Sequence, residues 1–257
     1  MAELVFLGTA AALPSATRSN TALAVLPDDM APGLLVDCGG DIYSALLRAD
    51  LAGNALSDLF ITHAHIDHIG SLPSLLESFR LGGRTAALRI WGLGEVLAVA
   101  HRLIDAFDFE LTLDTWSFPV AFAPIAHGDT IQLAGVPTRV GAMDHTVPSA
   151  GLRLDLPGGA VAYTCDTQPN ANIRPLGESA RLLITECTYL RAQEPYARVS
   201  KHMTAFEAGQ QAAACATGRL ALVHLGVGDA LDAARDEAAE SFAGEVLIPN
   251  DGDRVAL

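Results

Sequence analysis

Residues Leu59-Phe60-Ile61-Thr62-His63-Ala64-His65-Ile66-Asp67-His68-Ile69-Gly70 constrain this chain more than any other stretch. Leu59-Phe60-Ile61 is a short apolar run of the kind a buried strand presents. Three histidines and one carboxylate follow within six positions, spaced His-x-His-x-Asp-His. Neutral imidazole and carboxylate are first-choice ligands for zinc and its first-row neighbours. On an extended segment His63 and His65 point the same way, because side chains alternate faces. A turn into a helix near Gly70 would let Asp67 and His68 reach a second metal. A polar turn with incidental histidines does not account for four donors packed directly behind a buried strand. The spacing predicts a two-metal site.

Three further stretches share one pattern, an apolar run that closes on a potential ligand. Val140-Gly141-Ala142-Met143-Asp144 ends in His145, Val161-Ala162-Tyr163-Thr164-Cys165 in Asp166, and Leu220-Ala221-Leu222-Val223 in His224. A sheet sandwich gathers one set of strand ends at one rim, where donors from distant sequence can meet. Leu182-Leu183-Ile184-Thr185 likewise ends on Glu186, and Leu34-Leu35-Val36 on Asp37. Asp37 reads either as a group that orients a ligand histidine or as a turn residue. Thr204 and Glu207 form a capping-box pattern that starts a helix directly after His202. His101, within an apolar-periodic helix over 95–107, reads as structural or surface, and His127, in a Gly-Asp turn, as a loop residue. The small-residue loop 8–15 reads as a hairpin connection or, more weakly, as backbone that approaches a phosphate. Further strands are expected over 3–7, 21–26, 88–91, 118–122, 130–133, 136–143 and 246–248. Further helices are expected over 41–51, with Asp41 as N-cap, and over 71–79 and 231–242.

The 257 residues suffice for one domain with a sizeable core. No repeat, low-complexity segment or linker divides them, so a single domain over 1–257 is expected. No run of about 18 residues is apolar and free of charge, which speaks against a membrane span. The start, Met1-Ala2-Glu3, carries an acid where a signal peptide carries a base. Cys38, Cys165, Cys187 and Cys215 are scattered without CxxC spacing, as expected for reduced, buried thiols of a cytoplasmic protein. The formal charge of −14 disfavours unaided binding of long nucleic acid, which needs a basic footprint. A small anionic substrate beside bound dications remains compatible with it.

The His-x-His-x-Asp-His turn resembles the signature of the metallo-β-lactamase superfamily. That resemblance implies an α+β fold, a four-layer αββα sandwich of two mostly antiparallel sheets with helices outside. The signature is specific for the superfamily and not for the reaction, because the fold hosts many hydrolases and a few oxidoreductases. The surroundings are similar to the ribonuclease Z branch. The matching segments are Gly8-Thr9 through Pro14 with Arg18, the turn from His63 to His68, and His145 with Val147-Pro148 and Gly151. Asp166-Thr167, Glu186-Cys187-Thr188-Tyr189, His202 with Thr204, and His224 match as well.

The ligand inventory is His63, His65, Asp67, His68, His145, Asp166 and His224. Five imidazoles and two carboxylates fill two zinc sites if Asp166 bridges and a hydroxide completes them. The expected split is His63, His65 and His145 on one metal, and Asp67, His68 and His224 on the other. Manganese or iron are the other candidate ions. Two metals about 3.5–4 Å apart lower the pKa of a bridging water and offset charge on both attacking and leaving oxygens. That suits phosphodiester hydrolysis, with Asp67 also addressing the water. In the family, the residues matching Glu186 and His202 sit beside the metals, and the histidine is held to protonate the leaving oxygen. A histidine with a pKa of about 6.5 can carry that proton at neutral pH. The resemblance further implies a homodimer.

One departure from the family matters. Ribonuclease Z enzymes usually carry a long tRNA-gripping arm between the third histidine and the bridging aspartate. Here a single hairpin, 151–155 and 160–164 turning at Pro157-Gly158-Gly159, is expected between His145 and Asp166. The expected activity is therefore a two-metal phosphodiesterase on a small, cyclic or terminal phosphodiester, with tRNA processing in doubt. The alternatives on the same fold are a lactonase, thioesterase or β-lactamase, or a true tRNA 3′-processing endoribonuclease. A class B β-lactamase usually offers a cysteine where this chain has Asp166. A diiron oxygen-reducing protein would need a glutamate where His65 stands, and a binding module without catalysis would often have lost ligands.

Overall fold

The structure, a computed structural model, describes residues 2–27, 32–109, 116–228 and 230–257. The first sheet takes β1 (Glu3–Gly8), β2 (Ala22–Leu26), β3 (Gly33–Val36), β4 (Leu56–Phe60), β5 (Leu88–Leu93) and β6 (Val120–Ile125). The second takes β7 (Thr130–Leu133), β8 (Val136–Met143), β9 (Ser149–Leu156), β10 (Gly159–Tyr163), β11 (Leu182–Cys187), β12 (Arg219–Leu225) and β13 (Glu245–Leu247). A last strand, β14 (Arg254–Ala256), returns to the edge of the first sheet beside β1. The strand orders are β14-β1-β2-β3-β4-β5-β6 and β13-β12-β11-β10-β9-β8-β7.

The sheets are mixed, and the expectation of mostly antiparallel sheets is corrected here. In the first sheet β14, β1, β2 and β3 pair antiparallel, whereas β3, β4, β5 and β6 pair parallel. The second sheet repeats this, with β7 to β10 antiparallel and β10 to β13 parallel. The physical reason is the helices. Parallel neighbours need a crossover, usually helical. The first sheet has α1 (Ile42–Arg48), α2 (Ile66–Ile69), α3 (Leu72–Leu81) and α4 (Gly94–Asp105) in its crossovers. The second has α5 (Ile173–Gly177), α6 (Glu194–Ser200), α7 (Ala205–Ala214) and α8 (Leu231–Ala239). α1 and α4 pack with the first sheet, with α3 against both of them, and α5, α7 and α8 pack with the second, which makes the four αββα layers.

Local sequence explains the helices that were legible. α3 buries Leu72, Leu75, Leu76 and Phe79, the three-four spacing of an amphipathic face. α7 begins at a formed capping box, with Thr204 Oγ1 accepting from Glu207 N–H and the Glu207 carboxylate accepting from Thr204 N–H. Asp41, in contrast, makes no side-chain cap on α1, and that helix stops at Arg48. The strand expected over 118–122 begins at Val120 and runs on to Ile125. α5, α6 and β14 carry no sequence signal, since each is short and has no run of periodicity. One apolar core joins the sheets, with Leu4, Phe6, Leu35 and Phe60 from the first and Leu152, Leu183 and Leu222 from the second. Among the described residues no helix is long and apolar enough to cross a membrane.

This topology positions the site. β3 and β4 run parallel, so Asp37 and the His63 turn follow strands that end together. β9 lies antiparallel to both β8 and β10, so those two run the same way, and β11 and β12 run with β10. His145, Asp166, Glu186 and His224 therefore all sit toward one end of the second sheet.

Candidate metal centre

The turn after β4 is extended up to His65, which is the N-cap of α2 with φ −74° and ψ 149°. His63 and His65 therefore project to one side, and the helical turn carries Asp67 and His68 round to the next position. This loop rests on the turn after β3. Cys38 N–H donates to His68 C=O at 2.7 Å, and Ser71 N–H to Cys38 C=O at 3.0 Å. Gly39 permits the approach, since a Cβ there would lie 1.7 Å from Asp67 O. Asp37, Cys165 and His224 all adopt left-handed backbone, with φ of 65°, 49° and 51°. Such conformations in non-glycine residues cost energy and cluster at functional sites. His224 owes its position to a bulge: Glu186 pairs with Val223 and Cys187 with Leu225, leaving His224 as the extra residue.

Two donor sets result. The first joins His63, His65, His145 and Asp166; the second joins Asp67, His68, Asp166 and His224. In the first set His65 Nδ1 lies 3.1 Å from His63 Nε2 and 3.1 Å from His145 Nε2. In the second, Asp67 Oδ2 lies 3.4 Å from both His68 Nε2 and His224 Nε2. Asp166 Oδ2 belongs to both sets, at 3.1 Å from His224 Nε2, 3.4 Å from His68 Nε2 and 3.7 Å from His63 Nε2. Donors at zinc-ligand distance from one tetrahedral ion lie roughly 3.3–3.6 Å apart, so both sets have about the right edge length.

The hydrogen-bond network determines which ring atoms face inward. The Thr62 hydroxyl has one proton, and Asp37, 2.9–3.0 Å away, can only accept it. His63 Nδ1, 3.0 Å from the same oxygen, must then be the donor. Asp37 Oδ2 also accepts from His68 Nδ1 at 2.8 Å. On the other side the Thr188 hydroxyl donates to Glu186 Oε2 at 2.7 Å, so His224 Nδ1, at 2.9 Å, donates to Thr188. His145 Nδ1 donates to Lys201 C=O at 3.1 Å. In their neutral form these four rings therefore carry the proton on Nδ1 and turn an Nε2 lone pair inward. His65 is reversed, with Nε2 toward Thr146 Oγ1 at 3.3 Å and Nδ1 inward.

Lone pairs and carboxylate oxygens that converge on one another repel unless a cation lies between them. His68 Nε2 and Asp166 Oδ1 are buried and have no hydrogen-bond partner, which buried polar atoms rarely lack. Burial lowers the pKa of His63, His65 and His145, keeping them neutral as ligation requires. Burial works against His68 too, yet Asp166 and Asp37 outweigh it and raise it well above the ordinary value, so His68 holds a proton that a bound cation would displace. Burial alone would raise Asp67 and Asp166. The His224 and His68 rings packed against them hold both carboxylates low, a pull that a bound cation would supply once those rings are neutral ligands. The donor set fits two transition-metal ions.

Glu186 is arranged differently. Its carboxylate is fully buried and accepts from Thr167 N–H (2.7 Å), Thr188 Oγ1 (2.7 Å), Met203 N–H (3.1 Å) and His202 Nδ1 (2.7 Å). Glu186, His202 and His224 could form a third donor group. Four hydrogen bonds nevertheless occupy the Glu186 oxygens, so we read it as the holder of His202. The His202 ring stacks on His224, with centroids 5.2 Å apart and planes 20° apart, which sets it beside the second donor set.

The other sequence candidates fall away from the centre. His101 packs on the Phe122 ring, and His127 Nε2 meets Ser149 C=O at 3.0 Å. The loop after β1 is not a phosphate cradle. Thr9 and Ala10 N–H donate to Ser19 C=O and Ala11 N–H to Leu225 C=O, while Arg18 holds Thr9, Pro249 and Asn250. Sequence reasoning assigned no role to Thr62, Thr188 or the Lys201 carbonyl. The two threonines could have been found from their places, one before His63 and two after Glu186. The carbonyl has no sequence signal.

A family model described as the Beta-lactamase superfamily domain matches residues 33–225. The chain belongs to the β-lactamase superfamily. Within it, this superfamily member is 30% identical to a protein named Ribonuclease Z from Halorubrum lacusprofundi, over 99% of this chain and 97% of the relative. That alignment runs over 303 positions, more than the 257 residues here, so the relative carries segments this chain lacks. The fold is shared with the metallo-β-lactamase fold protein YhfI from Bacillus subtilis, at TM-score 0.83, 25% identity and coverage of 99% and 98% of the two chains. It is shared also with the short form of human tRNase Z, at TM-score 0.78, 24% identity and coverage of 99% and 98%. This member of the superfamily is a metal-dependent hydrolase of the ribonuclease Z type.

Proposed function

We propose that this protein is a phosphodiesterase that holds two zinc ions on His63, His65, His145 and Asp166 and on Asp67, His68, Asp166 and His224. A single domain over residues 1–257 carries the reaction, and the substrate is a small, cyclic or terminal phosphodiester. Two such ions, when bound, supply an activated water and offset charge on the attacking and leaving oxygens. The chain's own residues supply the rest. Asp67, held as a carboxylate, orients the water that attacks. Glu186 keeps a proton on His202 Nδ1, so a protonated His202 can donate from Nε2 to the departing oxygen and remain a neutral ring. The observation that carries this reading is the 2.7 Å contact between Glu186 and His202 beside the second donor set. A thioester leaves as a thiolate and has less need of such an acid than a ribose alkoxide. The reading also takes the protein to be cytoplasmic, in keeping with four buried, unpaired thiols, and homodimeric.

The test is a ranking of substrates by the metal-replete protein. Bis-p-nitrophenyl phosphate should be cleaved faster than a chromogenic β-lactam or lactone; the reverse order would overturn the reading.

The Halorubrum relative favours a second reading, tRNA 3′ processing. Against it, β9 and β10 close through only Pro157-Gly158, with Leu156 paired to Gly159, so nothing longer than a hairpin separates His145 from Asp166. A tRNA precursor should therefore bind weakly and with steep salt dependence. Tight binding at physiological salt would favour the second reading.

A further inference from the structure

Lys201 is the only lysine in the chain, against fifteen arginines. It closes α6 in left-handed backbone, φ 54°, and the next residue is His202. Its carbonyl takes the His145 Nδ1 proton, and its ammonium lies 2.8 Å from Oδ1 of Asp144, the residue before His145. Asp144 Oδ2 accepts from Gln168 Nε2 at 2.6 Å. Its C=O accepts from Gln168 N–H at 3.0 Å, and its N–H donates to Thr167 Oγ1 at 3.0 Å. Asp144 thereby ties together the three loops that deliver His145, Asp166 and His202.

We propose that the Lys201–Asp144 ion pair is a clamp, and that both are positioning residues for His202. This rests on the phosphodiesterase reading above. An acid catalyst must sit within hydrogen-bond reach of the leaving oxygen, and small misplacements are costly in rate. On the sequence side before it, His202 hangs from α6 by its own N–H to Ala197 C=O at 2.9 Å. α6 is a weak anchor, since Glu194, Pro195, Tyr196 and Val199 are all exposed. To the Lys201 C=O bond from His145 the clamp adds a further attachment from that loop. Residue type matters here. A lysine ammonium makes a single-point contact and leaves the second Asp144 oxygen to Gln168, whereas an arginine fork would take both oxygens. Both partners are 41% exposed, so the pair shifts an equilibrium by no more than about fivefold.

The test compares Lys201→Met, Asp144→Asn and the swapped pair Asp144→Lys with Lys201→Asp. Gln168 can serve the swapped pair by turning its amide oxygen toward residue 144. The readouts are metal content, kcat and KM on 2′,3′-cyclic AMP and on bis-p-nitrophenyl phosphate, and hydrogen exchange of the His202 amide. Each single variant should keep full metal and an unchanged KM. Each should lose about fivefold in kcat on the cyclic nucleotide and little on the nitrophenyl ester, which hardly needs an acid. The His202 amide should exchange faster, and the swap should restore both rate and protection. Equal losses on the two substrates, a rise in KM alone, or exchange and kcat both unchanged would overturn the clamp. A wild type inactive on both esters would sink the phosphodiesterase reading instead. The exchange measurement would then decide the clamp by itself.

Discussion

Asp37 Oδ2 lies 2.8 Å from His68 Nδ1, and the same carboxylate takes the Thr62 hydroxyl that meets His63 Nδ1. One buried acid at the end of β3 therefore orients a ring from each of the two donor sets. Glu186 orients two rings on the far side, His224 of the second set through Thr188 and His202 directly. The turn aspartate of the sequence is an orienting group.

Asp37→Asn tests this with little disturbance of the backbone. Asparagine tolerates the φ of 65° at this position as aspartate does. Its amide cannot accept from both Thr62 and His68 as the carboxylate does. Metal affinity or activity should fall roughly 10–100-fold, measured by competition with a chromogenic chelator. Unchanged values would return Asp37 to a turn role.

The metal-replete protein should contain close to two transition-metal ions per chain by elemental analysis. Asp67→Ala should lose both metal and activity, because Asp67 Oδ2 lies 3.4 Å from two ligand nitrogens of the second set. Only trace metal after zinc supplementation would overturn the two-metal centre. Added zinc should also raise the Tm, since an ion bound only to the folded state stabilises it.

His202 lies outside both donor sets. His202→Ala should keep both metals and lose roughly 10²–10⁴-fold in rate on a substrate that leaves as an alkoxide. The loss should shrink for a p-nitrophenol leaving group. Equal losses would make His202 a substrate-positioning residue, and loss of one ion would make it a ligand.

The pH profile tests the partnership with Glu186. Burial pushes His202 below its ordinary pKa, but the Glu186 charge and hydrogen bond more than offset this, and the net direction is upward. The acid works protonated, so kcat/KM should fall as pH rises through that raised value. Glu186→Gln removes the charge and leaves the burial. The basic limb should then move to lower pH. A limb that stays in place would belong to another group.

Much of the site was legible because its donors obey local rules. The His63 to His68 turn is a spacing, and His145, Asp166, Glu186 and His224 each close an apolar run. What was not legible depends on partners far away in the chain. The parallel halves of both sheets follow from crossovers, two of which use the short helices α5 and α6. The loop after β1 resembled an anion cradle until its amides found Ser19 and Leu225. Asp41 could have capped α1, yet makes no such bond.

By itself, the sequence determined the chemistry: which donors exist, in what number, and that each follows a buried strand. Side-chain alternation and apolar runs are properties of a few neighbouring residues, so they can be read locally. Only the tertiary structure decided the ring orientations and the tautomers, through Thr62, Thr188 and the Lys201 carbonyl. It also set Glu186 apart as a holder, by surrounding its oxygens with four hydrogen-bond donors. Those assignments are made by hydrogen bonds between residues far apart in the chain, 56 positions for His145 and Lys201 and 81 for His65 and Thr146. Folding brings such atoms within 3 Å or so, and no pattern along the chain encodes that proximity.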